Sequence, residues 1–268
     1  VADDLYRSRR WAVRSDPRTA VRTAVVWDAV DALLAELSAT SGRPALDVVD
    51  LGGGTGGFAV PVAGLGHRVT VVDPSPDALA ALQRRAAEAG LADLVRAVQG
   101  DAGALCEAVE PGSADLVLCH GVLEYVEDPV VAVASVLAIL RPGGMVSVLV
   151  AQRLGAVLAR ALSGRFGEAQ RLLVDPDGRG SEHDPVPRRF DEASLRSLFE
   201  SAGGRMGLVH GVRFFTDLLP GALVDGDPDA ARALVDLERS ASDQHRHPEL
   251  AHLAAQLHVV VRGVSVSR

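Results

Sequence analysis

Residues 48–57, VVDLGGGTGG, set an acid beside a glycine cluster at the end of an apolar run. Gly52, Gly54 and Gly56 follow a GxGxG spacing, and Gly52, Gly54 and Gly57 also satisfy GxGxxG. Such glycines remove side chains where a ligand must approach the backbone. A second acid, Asp73, ends the next apolar run, RVTVVD, and Gly100-Asp101 follows a third. A strand, a glycine turn, a helix and a second strand ending in an acid read as a nucleoside-cofactor site. Asp50 argues against a dinucleotide: its charge would repel a pyrophosphate and attract an ammonium group. Asp101 supplies a further acid in the same region. The segment CHGVLEYVEDP (119–129) adds His120, a residue type able to move protons near neutrality.

Positioning these groups requires alternating strands and helices. The pattern predicts a helix over 18–38, then strands over 45–51, 68–73, 94–99, 114–119 and 145–151. Helices are expected over 57–65, 76–89 and 130–140, the last stopped by Arg-Pro-Gly-Gly at 141–144. Short buried strands separated by helices indicate a doubly wound, mostly parallel α/β sheet, with its ligand edge at the strands' C-terminal ends. Residues 152–190 interrupt the alternation: a helical start over 152–162 runs into a Gly/Asp/Pro-rich loop. This stretch reads as an insertion over the active-site edge, or as a mobile surface connection. A helix at 191–203, a strand at 207–215, a helix at 228–240 and a strand at 255–263 follow. They add an antiparallel pair at the C-terminal edge and bring the sheet to seven strands. The expected organisation is an N-terminal helical segment (1–40) and one domain (41–268) carrying the insertion.

Composition narrows the function. All 27 basic residues are arginine, so lysine chemistry is excluded, and the net charge of −8 disfavours a diffuse nucleic-acid surface. Only the N-terminal stretch, with Arg7, Arg9, Arg10, Arg14, Arg18 and Arg22, is plainly basic. No run approaches the ~18 apolar residues of a membrane span, and the first residues lack a signal-peptide core, so a cytoplasmic location without membrane contact is expected. Cys106 and Cys119 have no metal-like spacing. His245, His247 and His252 lie in a stretch around Pro248 whose spacing reads as incidental, so no metal is expected.

The glycine loop with Asp73, Asp101 and LRPGG (140–144) resembles the class I S-adenosylmethionine-dependent methyltransferases, with their Rossmann-like sheet. CHGVLEYVEDP, RTAVRTAVVWDAVDALLAEL (18–37) and AGGRMGLVHGVRFFTDLL (202–219) are similar to the tRNA 5-carboxymethoxyuridine methyltransferases; the likeness runs from about residue 18 to 263. The resemblance implies S-adenosyl-L-methionine as cofactor, with Arg22 pairing its carboxylate. Asp50, Gly52, Gly53, Gly54 and Gly56 would form the turn beside it, Asp73 would take the ribose, and Asp101 with Ala102 the adenine. His120 would sit next to the cofactor, and Arg213 is a candidate anion contact for the substrate or an ion-paired fold residue. The implied acceptor is a carboxylate on a tRNA wobble uridine, which is already ionised and needs no general base. Two alternatives stay open: a small-molecule carboxyl or hydroxyl acceptor, for which His120 becomes a candidate base, and a cofactor-binding protein without catalysis.

Overall fold

The computed structural model describes residues 17–220, 223–224, 227–242 and 247–263. Arg7, Arg9, Arg10 and Arg14 of the basic N-terminal stretch, and His245 of the histidine group, lie outside the described residues. The elements run α1 (Pro17–Ser41), β1 (Asp47–Leu51), α2 (Ala59–Gly64), β2 (Arg68–Asp73), α3 (Pro76–Glu88), β3 (Val95–Gln99) and α4 (Leu105–Ala108). Next come β4 (Ala114–His120), α5 (Pro129–Ala138), β5 (Leu140–Ala151), α6 (Arg153–Leu162), α7 (Phe166–Val174) and α8 (Glu192–Ser201). The chain ends with β6 (Gly204–Val212), α9 (Pro228–Ser242), α10 (Pro248–Ala251) and β7 (Gln256–Gly263).

The strands form one seven-stranded sheet in the order β3-β2-β1-β4-β5-β7-β6. It is mostly parallel with an antiparallel edge, as the alternation of elements predicts. In the parallel part the register pairs Leu51 with Val72 and Cys119, and Asp73 with Gln99. The C-terminal ends of β1 to β4 therefore lie along one edge. Strand order reverses between β1 and β4, the switch point at which open α/β sheets bind ligands.

Local chemistry explains where several elements begin. Ser75 caps α3 by accepting from the Ala78 N–H at 3.2 Å, with Pro76 at the first helical position. Asp128 caps α5 by accepting from Val130 and Val131 ahead of Pro129. The strands read as apolar runs because their residues are inside: Val48, Val49, Val71, Val72, Leu116, Val117 and Leu118 are all buried.

The chain divides into two compact units. One contains 33–148, 194–207 and 259–263, and carries the glycine turn; the other contains 17–32, 149–193 and 208–258.

Three sequence expectations need correction. LRPGG does not simply stop a helix, because β5 starts at Leu140 and includes it. Arg141 there reaches Asp47 at 2.8 Å and Asp115 at 2.9 Å, and a Cβ on Gly144 would press on the Ala114 and Asp115 carbonyls. The loop expected after residue 162 contains a second helix, α7, which buries Ala169 and Leu172. The strand expected at 207–215 is β6, three residues earlier at both ends. It ends before Arg213, whose φ of 61° lies in the left-handed region and breaks extended backbone.

Candidate active site

The first unit brings together most of the residues expected to bind the cofactor. Gly52, Gly54 and Gly56 have φ of 68°, 54° and 83°, so the turn needs conformations that other residues resist. Space is equally restrictive: a Cβ on Gly52 would sit 2.6 Å from Val122 Cγ2, and one on Gly56 would run into Leu82 Cδ1. The turn is tied to β2, since the Gly52 N–H donates to the Val72 carbonyl at 2.7 Å.

Asp73 is 8% exposed. Its Oδ2 accepts from the Gly54 N–H and its Oδ1 from the Ser75 N–H, both at 2.9 Å. Each oxygen keeps further accepting capacity, the property a pair of ribose hydroxyls requires. Asp101 is exposed and its Oδ1 accepts from the Gly103 N–H at 2.7 Å, while the adjoining Ala102 is buried.

Asp50 lies beneath the turn at 3% exposure. A Cβ on Gly53 would meet Asp50 Oδ2 at 2.5 Å, so this glycine is required by close approach. The carboxylate accepts the Ala59 N–H at the start of α2, and its Oδ2 is buried without a hydrogen-bond partner. Burial pushes its pKa up to about 7; the Ala59 N–H opposes the rise and the charge of Asp73 adds to it. Near neutrality Asp50 is therefore a partly protonated support for the loop, with less charge than the sequence argument assumed.

His120 ends β4. Its Nε2 hydrogen-bonds the buried Ser147 hydroxyl at 2.8 Å, and its ring meets Phe58 edge-on with centroids 4.8 Å apart. Burial lowers its pKa to about 3, so the ring is neutral at physiological pH and a weak base. The neighbouring Cys119 thiol is pushed well up by burial, then by the charges of Glu124 and Asp50, and is no nucleophile. Ser147 and Phe58 carry no motif-like spacing, so sequence reasoning missed them, whereas Glu124 stands in the CHGVLEYVEDP segment without a role assigned to it. Ser147 lies on β5 and Phe58 just ahead of α2, and each meets His120 at the end of β4.

Arg22 and Arg213 belong to the other unit, and both reach Asp217. Arg213 donates from Nε at 3.1 Å and Nη2 at 2.7 Å, whereas Arg22 donates once, at 3.3 Å. Arg213 Nη1 also donates to Gln256 Oε1 at 3.3 Å. Two guanidinium groups share one carboxylate, with the Arg22 side chain 54% exposed. Asp217 stands in the same GVRFFTDLL segment as Arg213, and sequence reasoning assigned it no role.

Four of the insertion's arginines pair with its own acids, and Arg153 pairs with Asp191 just beyond it. Arg160 pairs with Glu168 and Asp184, Arg165 with Glu168, Arg179 with Asp177 and Arg189 with Asp184. Among the described residues no group of three metal-ligating side chains occurs; His247 lies 3.9 Å from Glu249. No described helix is long and apolar enough to cross a membrane.

The methyltransferase domain family matches residues 49–148, which hold the turn, Asp50, Asp73, Asp101 and His120. Over 217 residues the chain is 30% identical to the tRNA 5-carboxymethoxyuridine methyltransferase of Escherichia coli K12, covering 81% of this chain and 80% of that protein. The ubiquinone biosynthesis O-methyltransferase of Burkholderia multivorans is 37% identical over 106 residues, covering 40% of this chain and 43% of that one. Among solved structures, an S-adenosylmethionine-dependent methyltransferase from Mesorhizobium loti is similar in fold, with a TM-score of 0.57 at 22% identity over 90% of this chain and 99% of that chain. The [4+2]-cyclase SpnF shares the fold with a TM-score of 0.55 at 20% identity, over 93% of this chain and 85% of that chain. Fold and comparisons together define a class I S-adenosylmethionine-dependent methyltransferase, an enzyme whose cofactor is S-adenosyl-L-methionine. Within that class, the chain belongs to the tRNA 5-carboxymethoxyuridine methyltransferase family.

Proposed function

We propose that this enzyme methylates a carboxylate, the 5-carboxymethoxy group of a wobble uridine in tRNA. The observation that carries the proposal is His120, held on Ser147 with its pKa lowered to about 3. A hydroxyl acceptor must lose its proton during transfer, and such a histidine is a poor base. A carboxylate needs no base, so positioning and desolvation carry the catalysis. The reach of the likeness supports the same reading: the tRNA enzyme matches 81% of this chain, whereas the ubiquinone enzyme matches 40%.

In this reading the bound cofactor supplies an electrophilic methyl group on a sulfonium. Asp73 holds the ribose hydroxyls, Asp101 and Ala102 the adenine, Gly52, Gly53, Gly54 and Gly56 leave room at the turn, and Arg22 pairs the methionine carboxylate. Asp50 supports the turn from beneath. His120 borders the methyl group as a neutral wall rather than a base. Arg213 orients the acceptor carboxylate, as a guanidinium does well.

A second reading, a small-molecule carboxylate acceptor, draws on the insertion. Four of its arginines pair with its own acids and Arg153 pairs with Asp191 just beyond it, which leaves fewer to meet phosphates. Comparing modified nucleosides in tRNA from wild-type and deletion cells separates the two. Loss of the methyl ester with accumulation of the free acid is expected; an unchanged profile removes the tRNA reading.

A further inference from the structure

The side chain that organises the arginine cluster comes from another helix. Glu238, on α9, is 1% exposed. Its Oε2 accepts from the Phe214 N–H at 2.9 Å. Its Oε1 accepts from the Phe215 N–H at 2.9 Å, the Thr216 N–H at 2.7 Å and the Thr216 hydroxyl at 2.7 Å. Three consecutive amides and a hydroxyl thus converge on one buried carboxylate. These residues sit between Arg213, with its left-handed φ of 61°, and Asp217, which holds Arg213. A bulky residue keeps that conformation only where its surroundings impose it. The bonds from 214–216 to Glu238 impose it here.

The same helix also steadies Arg22. Ala231 and Leu234 of α9 form a buried apolar cluster with Val21, against which Phe215 packs. Two turns along α1 from Val21, Asp28 pairs with Arg239 of α9 at 2.7 and 3.0 Å. Helix α9 is thus a common platform for the residue next to Arg22 and for the turn that follows Arg213.

We infer that Glu238 is a positioning residue for the acceptor: through the 214–216 turn it fixes the Arg213 guanidinium that receives the substrate anion. The inference rests on the role given to Arg213 above. It adds that substrate affinity depends on a carboxylate that touches neither substrate nor cofactor.

The test uses Glu238→Gln, Thr216→Val, Arg213→Ala and the Arg213→Ala/Glu238→Gln pair in the full chain. Probes are tRNA from deletion cells as acceptor and S-adenosylhomocysteine as cofactor ligand. Glu238→Gln should raise the acceptor KM about tenfold, as expected for losing charge-assisted hydrogen bonds. Cofactor affinity and kcat at saturating acceptor should stay within about twofold. Thr216→Val should give a smaller rise in the same direction, and it decides the matter where Glu238→Gln does not fold. The double variant should be no worse than Arg213→Ala, because Glu238 acts through Arg213.

Other outcomes overturn the inference in distinguishable ways. If Arg213→Ala raises the acceptor KM and both turn variants leave it unchanged, Glu238 is not the positioning residue while the role of Arg213 stands. If Arg213→Ala changes nothing, the role of Arg213 fails, and the inference with it. Equal losses of acceptor and cofactor binding would mark Glu238 as merely structural. Where the wild type does not methylate this tRNA, the Arg213 Nε–H resonance decides: it should be sharp in the wild type and broadened in Glu238→Gln. An unchanged resonance refutes the inference.

Discussion

Replacing Asp50 by asparagine should flatten the pH dependence of stability. The carboxyl is buried under Gly53, and its pKa rises from 3.8 to about 7. A raised pKa means that the folded protein holds a proton that the unfolded chain has released. Its contribution is present in full below pH 3.8, falls as pH rises, and is lost once pH passes about 7. Between pH 5 and pH 8 that single group should cost the wild type roughly 3 kcal/mol of unfolding free energy. Asparagine cannot ionise, so Asp50→Asn should show none of this loss. Its amide leaves buried donors unsatisfied, a penalty of about 1–3 kcal/mol that applies equally at both pH values. The comparison is therefore the difference between pH 5 and pH 8, measured by urea unfolding of both proteins, in which other titrating groups cancel. Parallel pH profiles would refute the reasoning, because they would mean that Asp50 ionises in the fold as easily as in water.

Three further outcomes follow from the geometry. Gly56→Ala should cost about 2–4 kcal/mol in denaturant unfolding, because its φ of 83° disfavours alanine and the new Cβ meets Leu82. Asp73→Ala should weaken S-adenosylhomocysteine at least about tenfold by calorimetry, since the Gly54 and Ser75 amides lose their acceptor along with the ribose. Asp184→Asn should destabilise by about 3–5 kcal/mol and speed amide exchange over 175–190, because it leaves the buried Arg189 guanidinium without its charged partner.

Much of the fold was legible because its signals are local. Apolar runs ended by Asp73, Gly100 and His120 mark strands, and the helices expected from 76 and 130 start at Pro76 and Pro129. The missed features depend on partners distant in sequence. Phe214 and Phe215 look like strand residues, yet their amides turn to Glu238. LRPGG looks like a stop, yet Arg141 joins Asp47 and Asp115 and the segment enters the sheet. Helix α7 hides among the Gly, Asp and Pro residues that surround it. At the site, glycines and acids were visible because a nucleoside cofactor fixes their spacing. The roles of Ser147 and Glu238 were not, because each acts from a different element; Asp217 stands four residues after Arg213 in one segment, and only the structure shows their pairing.

The central claim is that the acceptor is a carboxylate, and the chemical stability of the product tests it most directly. Purified enzyme, methyl-labelled S-adenosyl-L-methionine and tRNA from deletion cells should yield label on the wobble uridine that mild alkali releases as methanol. That is the behaviour of a methyl ester. Label that resists alkali would identify an ether made on a hydroxyl, and would contradict both the carboxylate acceptor and the passive role given to His120.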